Sequence, residues 1–164
     1  MQKLTHIITK VLSIILIILM AVMVLDVTWQ VFTRFLLKNP SGFTEELAGF
    51  LLIWIGLLGA SYAYRIKAHL GIDILTSKLT GTKKISSEII VSVIVFLFAL
   101  FILVIGGLRL VNIVFTLRQI SPSIGIPMGY VYSVLPITGI LFIYYSIVFI
   151  IESLKQNKIK GRVF

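Results

Sequence analysis

Residues 11–37 read VLSIILIILMAVMVLDVTWQVFTRFLL, and this stretch decides the fold. No charge interrupts it before Asp26, and it exceeds the about 20 apolar residues that carry a helix across a bilayer core. In lipid every backbone N–H and C=O must be satisfied within the chain, so a run of this length reads as a membrane helix. Leu47–Tyr64, Ile89–Leu108 and Met128–Ile151 are further runs of spanning length. The fold class is therefore all-α: an integral membrane protein of four transmembrane helices, covering about 11–37, 44–64, 87–117 and 128–152. The polar connections are too short to fold alone, so residues 1–164 form a single membrane domain.

Composition agrees. Hydrophobic residues make up 59% of the chain and charged residues 13%, against about 45–50% and 25% in soluble domains. A net charge of +9 could suggest nucleic acid, but the cations are asymmetric across the spans. Lys3, Lys10, Arg65, Lys67, Lys78, Lys83, Lys84, Lys155, Lys158, Lys160 and Arg162 fall on one side, and Arg34, Lys38, Arg109 and Arg118 on the other. Cytoplasmic loops carry the excess of Lys and Arg, so both termini are expected in the cytoplasm. Nucleic acid is not an expected partner; the lipid bilayer is. The chain has no cysteine, which excludes thiolate metal sites and disulfide exchange on this polypeptide. Lys3 and Lys10 precede an apolar run as in a signal peptide, yet the run is too long and lacks a small-x-small cleavage site, so it is expected to be a retained first helix.

Local signals mark the element ends. Lys3, His6 and Lys10 share one face of a helix expected at the inner surface before the first span enters the membrane. Lys38-Asn39-Pro40-Ser41-Gly42 is a cluster of turn residues. Ser41 or Thr44 can cap the next helix, and Glu45 and Glu46 in its first turn complement the helix dipole. Ile66, Leu70, Ile74 and Leu75 recur at helical spacing within Arg65–Ser87, where an interfacial helix between spans 2 and 3 is expected. Ser86–Leu117 would extend roughly 48 Å at 1.5 Å per residue, more than the about 30 Å hydrocarbon core, so it must tilt or protrude outward. Pro122, Gly125 and Pro127 predict a rigid external turn, and Pro136 a bend in the last span.

Candidate sites are few. Asp26, Gln30 and Arg34 lie at four-residue steps, within roughly an 80° arc of the first span. An ionisable residue at such depth is a functional-site hypothesis by default. Asp26 could couple protons, or the stripe could bind a neighbouring helix or subunit; no second membrane acid, lysine or histidine offers a relay, and the packing role is favoured. Gly49, Gly56, Ala60 and Ala63 form a small-residue stripe on the second span that lets another helix approach closely. On the outer side Lys38, Glu45, Glu46 and Arg118 could contact a soluble partner, with capping and a local salt bridge involving Arg34 as the plainer reading. On the inner side Arg65, Lys67, His69 and Asp73 could touch a phosphate or lipid headgroup or form a solvated basic loop. His6 and His69 lie too shallow to ligate a haem between helices. No cofactor or metal is expected, and no catalytic set can be placed on any span.

The run Gln30-Val31-Phe32-Thr33-Arg34-Phe35, with Asn39-Pro40, Thr44-Glu45-Glu46-Leu47-Ala48, Trp54 and Leu58-Gly59-Ala60, resembles the small DctQ-type membrane subunit of tripartite ATP-independent periplasmic (TRAP) transporters. The likeness continues in Arg65, His69-Leu70 and Ile72-Asp73, and returns in Ser121-Pro122, Gly125-Ile126-Pro127-Met128 and Pro136. Phe43 stands where the family often has tryptophan, and Gly129 where an aromatic commonly follows Pro-Met. The resemblance implies a bacterial inner-membrane subunit without chemistry of its own. It would pack against a large sodium-coupled permease subunit and help dock a periplasmic substrate-binding protein. The cargo would be an organic acid such as a dicarboxylate, a sialic acid or a sugar acid. A competing reading is a small proton-coupled exporter acting as a homo-oligomer with Asp26 as its coupling acid. Gln30 and Arg34 disfavour it, because an adjacent cation holds a carboxylate ionised.

Overall fold

A computed structural model describes residues 2–38, 41–67 and 82–160, all helical but for short turns. Helix α1 runs Gln2–Phe35 and α2 runs Gly42–Arg65. The third span is built from α3 (Thr82–Phe98), a π-helical segment (Ala99–Gly106) and α4 (Gly107–Thr116). The fourth joins the short α5 (Met128–Tyr132) to α6 (Val134–Lys160). Four of these units are long and apolar enough to cross a membrane, as Gln2–Phe35, Gly42–Arg65, Lys84–Thr116 and Met128–Lys155. The chain is therefore a multi-pass membrane protein. Residues 68–81, which carry most of the expected interfacial helix, lie outside the described residues.

The spans pack in an order that differs from the sequence. Span 1 packs on span 2, span 2 on span 4, and span 4 on span 3. Leu12, Leu58, Tyr64, Val134, Tyr145 and Phe149 form the core, with Trp54 and Phe142 against it. Aromatic rings organise the half around Tyr64, which meets Phe149 edge-on at 5.2 Å and Phe142 at a 45° tilt at 5.4 Å. Of the buried polar groups, Thr5, Ser121, Ser146 and Ser153 bond another element, whereas Thr33, Thr44, Ser61 and Ser92 bond carbonyls three or four residues earlier. Tyr64 shares a hydrogen bond of 3.2 Å with Ser146, and Trp54 donates its indole N–H to the Val131 carbonyl at 3.1 Å.

Buried positions follow a seven-residue rhythm. On α1 they are Thr5, Leu12, Asp26 and Thr33, and on α2 Thr44, Leu51 and Leu58, after which Ser61 and Tyr64 follow at three-residue steps. A seven-residue step turns a helix only about 20° off its seam, which is why gently crossing helices keep this spacing in contact. Span 3 begins alike with Ile85, Ser92 and Ala99. The next buried residues are Leu103 and Gly107, so one extra residue enters the repeat. The π-helical segment absorbs it: bonds to the fifth residue widen the turn, and four-residue steps then hold one face. That face meets span 4 very closely. A Cβ on Gly139 would stand 2.9 Å from Leu103 Cβ and 3.1 Å from the Val104 nitrogen, and one on Gly107 would stand 2.9 Å from Leu135 Cβ.

Several local expectations are realised. Ser41 caps α2, accepting from the Thr44 amide at 3.5 Å while Thr44 donates its hydroxyl to the Ser41 carbonyl at 2.9 Å. Pro136 has no N–H for the carbonyl four residues earlier, Tyr132, and the last span breaks after that residue. The external turn closes through Ser121 N–H to the Ile126 carbonyl and Met128 N–H to the Gln119 carbonyl, both 2.9 Å, with Gly125 at φ 78 where only glycine is unstrained. At Gly129 a Cβ would lie 2.6 Å from Phe115 Cδ2. The Phe115 ring thus fills the place next to Gly129 and packs edge-on against Tyr130 at 5.3 Å.

One expectation changes. The amino-terminal turns do not lie as a separate surface element but continue without interruption into span 1. Thr5 and Thr9 share hydrogen bonds with Tyr144 at 2.9 Å and Tyr145 at 3.3 Å. These bonds hold the first turns upright against span 4, leaving Lys3, His6 and Lys10 exposed. The same contacts place the start of α1 beside α6.

Candidate functional site

The small-residue stripe of span 2 points away from the rest of the chain. At 100° per residue, Gly49, Gly56, Ala60 and Ala63 all lie on the side of α2 opposite Leu58, which is buried in the core. Gly49 and Gly56 are exposed, and a Cβ on either would meet nothing within 4 Å; Ala60 and Ala63 are half-buried. Gly107, Gly129 and Gly139 are the glycines spent inside the bundle. The stripe is open at Gly49 and Gly56 and partly covered at Ala60 and Ala63.

Asp26, Gln30 and Arg34 are separated. Asp26 sits on the seam with α2, buried, and its Oδ2 has no hydrogen-bond partner among the described residues. Gln30 is half-buried and Arg34 exposed. Each four-residue step turns 40° further from the seam, so the next inward position is Thr33, which donates to the Gln30 carbonyl at 3.0 Å. The heptad seam, absent from a four-residue reading, is the signal that would have found Thr33.

At the start of α2 Glu46 turns from the expected basic neighbours toward the connection between spans 3 and 4. Its carboxylate accepts from the Ser121 hydroxyl and, at 3.1 Å each, from the Ser123 and Ile124 amides. Three donors converging on one carboxylate tie the start of span 2 to the connection between spans 3 and 4. Lys38, Glu45 and Arg118 remain exposed. Among the described residues the ion pairs are two, both at the end of the bundle at Arg65. Lys38, Lys67 and Arg118 each follow a helix with positive φ of 52, 55 and 50°, left-handed ends at which a cation complements the carbonyl-rich terminus.

That end of the bundle, at Arg65, carries a network that the sequence did not disclose. Arg65 pairs with Glu152 at 3.8 Å, Lys67 with Glu88 at 3.5 Å, and Ser153 donates to Glu88 at 3.3 Å. Both cations stand over the Phe149 ring, 5.3 and 5.4 Å from its centre. Spans 2, 3 and 4 are joined there. His69 and Asp73 lie outside the described residues. Among the described residues no group of three or more His, Asp or Glu is arranged to hold a metal ion. The described residues offer surface: a stripe open at Gly49 and Gly56, two tied ends and exposed polar groups at both ends of the bundle.

Comparison with known proteins agrees with that picture. The family model described as tripartite ATP-independent periplasmic transporters, DctQ component, matches residues 23–156. A Haemophilus influenzae protein described as a TRAP transporter small permease protein is 28% identical over 141 residues, 86% of each chain. The sialic acid TRAP transporter small permease protein SiaQ of Vibrio cholerae is 35% identical over 86 residues, 52% of this chain and 50% of that protein. The sialic acid TRAP transporter permease protein SiaT of Haemophilus influenzae is 28% identical over 116 residues, 70% of this chain but 18% of that protein.

Proposed function

The chain belongs to the DctQ family of TRAP transporter components, and from that premise we propose that it is a non-catalytic scaffold subunit held against a large sodium-coupled permease. The observation that carries this reading is the open stripe of α2. Small residues let membrane helices approach closely where hydrophobicity supplies no drive, and Gly49 and Gly56 use that capacity for nothing among the described residues. The relative SiaT supports the reading, since a segment like this chain makes up a minor part of a longer permease polypeptide there. The complex would import an organic acid, with sialic acid favoured by the names of two relatives. The external turn, fixed by Glu46 and flanked by exposed Lys38, Glu45 and Arg118, would be its contact with a periplasmic binding protein. The excess of cations at the end that holds both termini orients that end toward the cytoplasm of a bacterial inner membrane.

Asp26 does not favour the exporter alternative, because its carboxylate is closed into the seam between two helices of its own chain. The test is assembly. Gly49→Ile and Gly56→Ile should fold normally alone, since each added side chain enters open space, yet fail to co-purify with the large permease. Undiminished co-purification of the double variant would remove the stripe from the interface.

A further inference from the structure

A groove of about 620 Å³ opens at the inner end, lined by His6 and Thr9 of α1, Arg65 and Lys67 at the end of α2, and Phe149 and Glu152 of α6. That is within the about 300–1,000 Å³ of small-molecule sites. Glu152 is the carboxylate in the lining, while Lys67 reaches Glu88 outside it, a carboxylate that Ser153 also bonds through its other oxygen. Both existing pairs are long, that of the exposed Lys67 with Glu88 at 3.5 Å. Arg65 and Glu152 approach only to 3.8 Å, leaving most of a five-donor guanidinium fork for another acceptor, and that fork matches phosphate oxygens in geometry. Thr9 and Gln2, which also line the groove, add a hydroxyl and an amide.

Depth narrows the ligand. Arg65 ends the apolar run of span 2, so its guanidinium stands at the boundary between hydrocarbon and headgroups. Phe149 forms an apolar floor under both cations, and exposed Ile66 forms an apolar rim. A basic pocket between membrane helices at this depth, on the leaflet rich in acidic lipids, fits an anionic headgroup. We propose that the groove binds the phosphate of an anionic phospholipid of the inner leaflet, with Arg65 and Lys67 on the phosphate oxygens and the glycerol over Phe149. The leaflet, but not the binding, rests on the orientation proposed above.

The test uses the full chain in detergent micelles with fluorescent phosphatidylglycerol, phosphatidylcholine as the zwitterionic control, and inorganic phosphate as competitor. Phosphatidylglycerol should bind more tightly than phosphatidylcholine and resist millimolar phosphate. Arg65→Gln with Lys67→Gln should weaken it about 30-fold, at about 1 kcal/mol for each basic residue near an anionic surface. Lys67→Gln alone, on a side chain 58% exposed, leaves the Arg65–Glu152 pair in place and should weaken it about fivefold. Lys84→Gln, exposed and outside the lining, should change nothing. Equal binding of both lipids, or unchanged affinity in the Lys67→Gln variant, would overturn the site. Displacement by free phosphate would reassign the groove to a soluble anion and overturn the lipid.

Discussion

Alanine at Gly139 and alanine at Gly56 should move stability in opposite directions, although both are glycines of membrane helices. Helix propensity favours the substitution at either position by about 1 kcal/mol. At Gly56 nothing lies within 4 Å of the new methyl, so that gain should survive. At Gly139 the methyl would stand 2.7 Å from Val104 Cγ2, 2.9 Å from Leu103 Cβ and 3.1 Å from the Val104 nitrogen. The side-chain contact could be relieved by a rotamer change. The backbone nitrogen belongs to the π-helical segment and moves only if spans 3 and 4 part. Overpacking of this kind costs about 1–3 kcal/mol. Propensity cancels between the two variants, so their difference isolates that cost, a factor of about 5–150 in the unfolding equilibrium. Circular dichroism of the detergent-solubilised chain, titrated with a denaturing detergent, measures it. Equal stabilities, or a Gly139→Ala protein more stable than Gly56→Ala, would refute the close approach of the two spans.

Two further outcomes bear on placement and mechanism. Single cysteines introduced at Ser41, Ser77 and Ser123 of this cysteine-free chain should react with an impermeant maleimide in intact cells at Ser41 and Ser123, and at Ser77 only after permeabilisation; the reverse pattern would invert the proposed orientation. Asp26→Asn keeps the side-chain shape while removing ionisation, and transport by the assembled complex should persist; its loss in a normally assembled complex would return Asp26 to a proton-coupling role.

The membrane class and the four spanning helices were legible because length and apolarity in lipid leave the backbone no other choice. The cap at Ser41, the break before Pro136 and the turn at Gly125 were legible because each depends on the chemistry of a residue within a few positions. What escaped depends on residues far apart. Glu46 reads locally as a dipole-complementing acid, and only the fold brings Ser121, Ser123 and Ile124 to it. Glu88, Phe149 and Glu152 carry no motif, yet they organise the inner end around Arg65 and Lys67. The stripe through Asp26 was drawn at four-residue steps, whereas packing against α2 selects seven, which exchanges Gln30 and Arg34 for Thr33. The shift from Ala99 to Gly107 was present in the sequence, but an extra residue in a uniformly apolar run becomes visible only when a neighbour defines the buried side.

Because span 4 is the element on which span 3 packs, the order of synthesis and the order in space disagree. Spans 1 and 2 can pair as soon as both have left the ribosome, whereas span 3 enters the bilayer before its neighbour exists. Its Ser92 hydroxyl already donates to the Glu88 carbonyl within its own helix at 2.8 Å, so this buried group does not need to wait for a partner. The surface around Ala99, Leu103 and Gly107 must be held by lipid until the final span arrives and displaces it. A chain arrested before Met128 would therefore leave an assembled helical hairpin beside a solitary third helix, an unfinished product that a membrane quality-control protease could distinguish from the mature subunit.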